Sequence, residues 1–348
     1  MEQFFDDVGE RARLREVYAR LQDEESRTIY KARSLFSLTD ERDTLRDIVR
    51  EMSVGKQLIA ACREHANQAL VLFGAGTWGK AVLRFFSDLP WTCVVDNFKA
   101  GQTLNNLSVI SLNELKAREE RPYIVDTLRF SYEEVEAQLQ DAGFGKEDIF
   151  SLGRLSEARE YFDLPALEHI DREVFVDAGG FDGETSRSFA HWAKNYEHIY
   201  VFEPAIEQQE KCRENLKDFM HVSIEPYGLW SKSGNRSFII NGAGTNCSEE
   251  TNARGGGTII PVVSLDEYLK EKHVTFIKMD IEGSEMEALR GAEHIIRTQH
   301  PKLAISVYHC RDDVWRVPML LLEYYPAYRL YYRVYAFSGN DTVLFAVP

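Results

Sequence analysis

The chain of 348 residues is poor in cysteine and has no long apolar run. Its five cysteines are widely separated and lack the paired spacing of a disulfide framework or a zinc site. No stretch approaches the roughly 20 apolar residues that a membrane-spanning helix needs. The amino-terminal segment also lacks the basic start and apolar centre of a signal peptide. These absences predict free thiols, no membrane span and a cytoplasmic location.

Positive charge is scarce as well. Lysine and arginine number 41 against 56 aspartates and glutamates, which gives a net charge of −15. Nucleic-acid backbones require a basic surface, so we expect no nucleic-acid partner. Hydrophobic residues make up 44% of the chain, enough for real cores, and the length favours two domains.

The spacing of apolar residues divides the chain into three parts. Residues 1–66 predict helices without recognisable chemistry, a packing or dimerisation segment that leaves a homo-oligomer open. Residues 67–155 alternate strands and helices and predict a small Rossmann-like αβ domain. Residues 165–348 repeat this alternation, and their last two apolar segments predict an antiparallel hairpin through residues 338–341.

A strand, a glycine turn and a helix open this last domain, in VDAGGFDGETS at residues 176–186. Gly179 in such a turn lets the backbone approach a ligand, and the following helix points amides at it. Glu203 ends the next strand, where a carboxylate can accept hydrogen bonds from both hydroxyls of a ribose. Glu203 could instead complement a helix terminus. Because both features lie at strand ends on one side of a sheet, a nucleoside ligand is favoured.

A third element is IKMDIEGSEMEALRGA at residues 277–292. Asp280 and Glu282 end a strand there and should lie at the ligand-binding edge of the sheet. Glu285 and Glu287 begin the helix that follows. Complementation of the helix dipole explains Glu287 without any further role.

These segments resemble the FkbM family of methyltransferases. The resemblance is carried by FVDAGGFDGETS, YVFEP, SLDEYL, FIKMDIEGSEMEALRGAEHIIRTQHPKLAISVYH and the final hairpin, and it covers nearly all of residues 170–348. It implies a class I methyltransferase fold, with a seven-stranded, mostly parallel sheet and one reversed strand. It also implies S-adenosylmethionine as cofactor and O-methylation of a hydroxyl on a sugar, glycan precursor or natural product. AGGFDG departs from the Gly-Ala-Asn of many relatives, which leaves the contacts after Gly179 open.

The resemblance implies roles for individual residues. The expected cofactor-binding residues are Asp177, Gly179, Asp182, Glu203, Tyr227, Gly228 and Trp230. The first three would surround the amino acid part of the cofactor, Glu203 would hold the ribose, and the last three would lie near the adenine. Trp230 fits an ordinary core aromatic equally well.

His309 ends the strand KLAISVYH at the same expected edge and is the candidate base for the acceptor hydroxyl. A histidine that bonds a turn carbonyl is the alternative. Asp280 and Glu282 would orient His309 or bind acceptor hydroxyls. Their ligand types would also suit a divalent metal, but we predict a site without metal. The glycine-rich stretch 241–257 is either an acceptor lid or a surface loop.

The small αβ domain carries a motif of its own. Gly74, Gly76 and Gly79 fit G-x-G-x-x-G between a strand and a helix, and Asp96 follows at the end of the next strand. This context indicates a nucleotide-type ligand, although a degenerate fold used for docking fits as well. It supplies the alternative functions, an NAD-dependent oxidoreductase or a nucleotide-sugar-binding module. The oxidoreductase leaves Glu203 and DIEGSE unexplained.

Overall fold

The computed structural model of the chain describes residues 8–128, 132–156, 160–241, 244–247, 258–339 and 341–348. They form two compact units. The large unit comprises the described parts of residues 1–38, 159–333 and 342–348, and the small unit those of residues 39–158 and 334–341. The described residues of the amino-terminal helical segment contribute to both units.

The chain begins with helices α1 (Val8–Arg20) and α2 (Glu24–Thr39). The turn between them pairs with a strand at the edge of the large unit's main sheet. Leu21 forms a parallel bridge to Leu330, and the Oγ atom of Ser26 accepts a hydrogen bond from the amide of Tyr332 at 2.9 Å. An uncovered edge strand is a template for aggregation. The amino-terminal segment therefore protects this edge.

The small unit contains one mostly parallel sheet. Its elements are α3 (Arg46–Glu51), α4 (Ser53–Glu64), β1 (Leu70–Phe73), α5 (Thr77–Phe85), β2 (Trp91–Val95), β3 (Thr103–Leu104), β4 (Leu107–Ile110), α6 (Leu112–Lys116), β5 (Tyr123–Asp126), α7 (Tyr132–Asp141), β6 (Ile149–Ser151) and α8 (Leu152–Ser156), with short 3₁₀ turns at Arg42–Leu45 and Lys146–Asp148. In the described residues the strand order is β3–β4–β2–β1–β5–β6, with only β3 antiparallel to its neighbour. The central strand β1 is buried along its whole length, as in parallel sheets covered on both faces.

The large unit continues with β7 (Glu173–Ala178), α9 (Glu184–Ala193), β8 (Tyr196–Phe202), α10 (Ile206–Asn215), β9 (Val222–Glu225), β10 (Gly228–Leu229), β11 (Gly234–Asn241), β12 (Gly244–Cys247), β13 (Thr258–Val263), α11 (Leu265–Tyr268), β14 (Phe276–Met279), α12 (Glu285–Arg290), α13 (Glu293–Gln299), β15 (Lys302–Ser306), α14 (Asp313–Tyr324), β16 (Arg329–Val334) and β17 (Thr342–Val347). Its main sheet has the order β16–β17–β15–β14–β7–β8–β9 over the described positions. Strand β17 runs antiparallel to β15. The predicted seven-stranded sheet with a reversed strand is confirmed.

A smaller sheet of the large unit has the order β10–β13–β11–β12 within the part that is described. Strand β12 lies inside the stretch 241–257, which the sequence suggests is a lid or a surface loop. The loop prediction is wrong for residues 244–247, which pair with β11 as a strand. The rest of the suggested lid, residues 242–243 and 248–257, lies outside the described residues.

Aromatic packing fixes the centre of the main sheet. The ring of Phe175 on β7 stacks on Phe189 of α9 with a centroid separation of 4.1 Å, and it meets Phe276 of β14 edge-on at 5.3 Å. Such pairs contribute about 0.5–1.5 kcal/mol each beyond the burial of their area. The carboxyl ends of β7, β8, β14 and β15 thus extend from a closely packed aromatic core. No helix among the described residues is long and apolar enough to cross a bilayer.

Candidate active site

The turn after β7 brings Gly179 against the end of the neighbouring strand β14. Gly179 adopts φ +75°, in the left-handed region that favours glycine. A Cβ atom at this position would lie 1.9 Å from the carbonyl oxygen of Asp280. The two turns are therefore in direct contact, and no side chain fits between them.

Asp177 lies beneath this turn and is fully buried. Its Oδ1 atom accepts a hydrogen bond from Nζ of Lys278 at 3.0 Å, and its Oδ2 atom accepts one from Oγ of Ser186 at 2.7 Å. Lys278 also donates to the carbonyl oxygens of Ala178 and Gly179. Burial disfavours the ammonium, but the charges of Asp177 and Asp280 and the hydrogen bond to Asp177 together outweigh burial and raise the pKa of Lys278. Both carboxylate oxygens of Asp177 are thus engaged inside the protein, where they brace the glycine turn.

Glu203 follows β8 at the same edge of the sheet and is 7% exposed. Its two carboxylate oxygens accept hydrogen bonds from the amides of Phe181 at 2.9 Å and Ala205 at 2.8 Å. Burial raises the pKa of the Glu203 carboxyl, and the two amides oppose part of this shift. Ala205 precedes α10, so Glu203 does complement a helix terminus. Each carboxylate oxygen still has a second lone pair with which to accept a hydrogen bond from a ligand.

The remaining predicted cofactor residues lie on either side of this edge. Asp182 is half-buried, and its Oδ1 atom accepts a hydrogen bond from the amide of Glu184 at the start of α9, at 3.1 Å. This contact ties Asp182, two residues before α9, to the start of that helix.

The segment predicted to lie near the adenine belongs to the smaller sheet. Gly228 pairs with Val262 of β13, and Trp230 is buried against the same residue. The ring of Tyr227 is half-buried, and its centroid lies 5.6 Å from that of Tyr268. Trp230 is therefore a core aromatic of the smaller sheet, while part of Tyr227 remains accessible.

His309 stands at the centre of a cluster of carboxylates beyond the ends of β14 and β15. Its Nδ1 atom lies 2.8 Å from Oε1 of the fully buried Glu285, which also accepts the amide of Ile281 at 2.9 Å. Its Nε2 atom lies 3.4 Å from Oδ1 of Asp280 and 3.5 Å from Oε2 of Glu282. The structure thus places the three predicted catalytic residues side by side.

These carboxylates determine the charge of the imidazole. Burial lowers the pKa of His309, but the hydrogen bond with Glu285 and the charges of Glu285, Asp280 and Glu282 outweigh burial and raise that pKa to about 9. The imidazole therefore carries a proton at neutral pH in this arrangement. The imidazole can act as a base only after this proton is lost or is replaced by another cation near the carboxylates.

Three contributors to the cluster, Tyr161, Tyr308 and Glu285, are not among the predicted site residues. The hydroxyls of Tyr161 and Tyr308 donate to the carboxylate of Asp280 at 3.0 and 3.3 Å. Tyr161 has φ +72°, a strained conformation for a residue other than glycine. It belongs to the connector before β7, where no pattern in the sequence indicates a functional residue. Glu285 does carry a signal, a carboxylate at a helix start, but a helix dipole explains that signal equally well.

The small unit brings its own predicted residues together at the turn between β1 and α5. Gly74 has φ +100°, and a Cβ atom at Gly79 would lie 2.0 Å from the carbonyl oxygen of Gly74. No described atom lies within 4 Å of the corresponding position at Gly76. The Oδ2 atom of Asp96 accepts the amide of Ala75 at 3.0 Å, and its Oδ1 atom accepts two amides of its own loop. Asp96 is therefore bonded to the protein backbone at both oxygens.

Comparisons with known proteins find similarity to methyltransferases. Residues 177–337 match the methyltransferase FkbM domain. The hexuronic acid methyltransferase AglP of Haloferax volcanii is 27% identical over 182 residues, which cover 51% of this chain and 73% of that protein. The crystal structure of methyltransferase FkbM from Methylobacillus flagellatus aligns with a TM-score of 0.47 at 18% identity, over 85% of this chain and 99% of that one.

The match begins at Asp177, on the strand that carries the glycine turn, and runs through Glu203, Asp280 and His309 into the closing hairpin. It therefore spans the strand ends of the main sheet at which the candidate site is built. The carboxyl-terminal part of this chain is thus similar to the FkbM methyltransferases, and this similarity supports S-adenosylmethionine as its cofactor.

Proposed function

We propose that the large unit transfers a methyl group from S-adenosylmethionine to a hydroxyl oxygen of a sugar or glycan precursor. One observation carries the proposal: the turn at Gly179 touches the turn at Asp280. This contact puts the expected donor-binding residues beside a cluster of groups that suit hydroxyls. The similarity to a hexuronic acid methyltransferase supports a carbohydrate acceptor.

The residues at the donor side fit the cofactor. The positive φ of Gly179 lets the backbone come close to a ligand. Glu203 retains lone pairs for two ribose hydroxyls. The ring of Phe181, whose amide bonds Glu203, is 58% exposed and offers an apolar surface at the same edge. Asp177 is fully buried with its buried partners Ser186 and Lys278 and would act by holding the turn in place.

The acceptor side would bind and align the hydroxyl. When bound, the cofactor supplies a methyl group that is already activated on a sulfonium sulfur. Asp280, Glu282 and His309 would bind the acceptor hydroxyl and receive its proton, with Glu285 orienting the imidazole through Nδ1. Since Glu282 is 55% exposed, the cluster is open to an acceptor from solvent.

Calorimetric titration of the full chain with S-adenosylmethionine tests the donor side. Glu203→Ala should weaken binding about 10-fold or more, because it removes the hydrogen bonds of a charged group. The control Glu207→Ala removes an exposed carboxylate from the first turn of α10 and should bind like the unmodified chain. Equal affinity of Glu203→Ala would refute the ribose role. Tight NAD binding by the chain together with no S-adenosylmethionine binding would favour an oxidoreductase that uses the small unit.

Methyl transfer to a panel of hexuronic acids and neutral glycosides, followed by mass spectrometry, tests the acceptor side. His309→Ala should lower turnover about 100-fold or more, in the range of groups that manage protons in transfer reactions. Its affinity for S-adenosylmethionine should stay the same, because His309 belongs to the acceptor cluster. Unchanged turnover would remove His309 from the mechanism.

A further inference from the structure

The Nε2 atom of His309 faces two carboxylate oxygens at distances that suit a shared cation. The separations of 3.4 Å to Asp280 and 3.5 Å to Glu282 exceed the length of an N–H···O hydrogen bond, about 2.7–3.2 Å. Two ligand atoms that each lie about 2.1 Å from one cation are about 3.0 Å apart in octahedral and about 3.4 Å apart in tetrahedral geometry. The observed separations therefore fit ligands of one ion.

The other ring nitrogen supports the same interpretation. Metal-binding histidines nearly always donate their second N–H to a carboxylate or carbonyl, which fixes the ring. Here Glu285 holds Nδ1 at 2.8 Å, and the His309 side chain is only 10% exposed. The ring is thus fixed with Nε2 directed at the two carboxylates.

A buried carboxylate oxygen in the cluster lacks a partner. Glu285 is fully buried, and its Oε2 atom has no hydrogen-bond partner among the described residues. A charged group in such surroundings needs a nearby opposite charge. One ligand atom each from Asp280, Glu285 and His309 lies within 4.8 Å of the others. A cation bound at Nε2 would lie next to Asp280 and Glu282 and would add positive charge across the ring from Glu285.

We propose that Nε2 of His309 and the carboxylates of Asp280 and Glu282 bind one divalent cation, with Glu285 positioning His309. A mixed set of imidazole and carboxylate ligands suits Mn²⁺ and neighbouring first-row ions. Three protein ligands leave coordination positions open, as in catalytic metal sites. This site differs from the metal-free one that the sequence predicts.

The role of the cation rests on the proposed methyl transfer. Neighbouring hydroxyls of a sugar would occupy its open positions, and its charge would make the hydroxyl proton easier to remove. With His309 bound to the ion, the second carboxylate oxygen of Glu282 would take this proton in place of the imidazole. Such a cation would account for a cluster rich in carboxylates at the point where the acceptor binds. Cation binding itself does not depend on the cofactor and can be measured alone.

Titration of the full chain with Mn²⁺, after treatment with EDTA and desalting and without S-adenosylmethionine, tests the site. Calorimetry and the loss of the free Mn²⁺ signal in electron paramagnetic resonance should show one ion per chain. Glu282→Gln and the positioning variant Glu285→Gln should each weaken binding about 10- to 100-fold. His309→Ala should weaken it at least as much. The matched control Glu293→Gln removes the same charge from an exposed position and should leave affinity unchanged.

The melting temperature of each variant shows whether it has folded, and Glu282→Gln is a nearly isosteric change of a side chain that is 55% exposed. No binding at about 1 mM Mn²⁺ would overturn the inference, as would binding that survives both Glu282→Gln and His309→Ala. Full methyl transfer in EDTA together with absent Mn²⁺ binding would reject the cation and keep the proposed function. Site-dependent Mn²⁺ binding without any S-adenosylmethionine binding would support the cation and reject the proposed function.

Discussion

The glycine turn of the donor side depends on one buried ion pair, and Lys278→Met tests that dependence. The side chains of Lys278 and Asp177 are 3% and 0% exposed, and their charged atoms lie 3.0 Å apart. Methionine keeps most of the volume of the lysine stem. It leaves the Asp177 carboxylate without its counter-ion and removes the donor to the carbonyl of Gly179.

Removal of one partner from a buried ion pair lowers the free energy of unfolding by about 3–5 kcal/mol. For a unit of this size each kcal/mol lowers the melting temperature by about 2–4 °C, so Lys278→Met should melt about 6–20 °C earlier. Differential scanning calorimetry should show this shift in the transition of the large unit. The double variant Lys278→Met/Asp177→Asn no longer carries the buried charge and should recover part of the loss. Both variants should bind S-adenosylmethionine more weakly, because the carbonyl of Gly179 is no longer held.

The control Lys270→Met changes an exposed lysine of the same unit and should alter stability by less than about 0.5 kcal/mol. A Lys278→Met variant that melts like this control would refute the argument from the buried charge. A double variant less stable than the single one would also refute it, because the loss would then come from packing.

Three other side chains or backbone positions also lead to testable predictions. Gly179→Ala should abolish S-adenosylmethionine binding measured by calorimetry, because its Cβ atom would lie 1.9 Å from the carbonyl oxygen of Asp280. At Gly76 the same substitution meets open space, so Gly76→Ala should leave the melting temperature unchanged. Tyr161→Phe removes a 3.0 Å hydrogen bond to Asp280 and should lower turnover about 10- to 100-fold with unchanged cofactor affinity; equal turnover would contradict this. Burial raises the pKa of the Asp126 carboxyl from 3.8 to about 7, so the folded state binds this proton more tightly than the unfolded state does. The bound proton therefore stabilises the fold below about pH 4, and this stabilisation is lost as the pH rises from about 4 through about 7. Asp126→Asn should therefore gain a few kcal/mol at pH 8 relative to the unmodified chain and little at pH 4, as measured by urea unfolding at both pH values; an equal effect at both would be inconsistent with a buried titrating carboxyl.

The sequence by itself determined the parallel sheets and the edge at which the site lies. Continuous apolar runs such as the strand before Gly179 are typical of strands buried on both faces. Each of Glu203, Asp280 and His309 comes directly after such a run. Because parallel strands end at one edge of a sheet, their position in the sequence was enough to predict that they lie near one another.

Only the tertiary structure decided which of these groups face one another and which form their hydrogen bonds within the protein. The hydrogen bond from Tyr161 to Asp280 joins residues 119 positions apart, and the ion pair of Asp177 and Lys278 joins residues 101 positions apart. Such contacts depend on the order of strands in the sheet and on how each connection packs, and neither leaves a local pattern in the chain. Tertiary contacts also decide the roles of two carboxylates. Asp177, at the first position of the family match, holds a turn in place, and Glu285, at the start of a helix, orients the histidine of the candidate site.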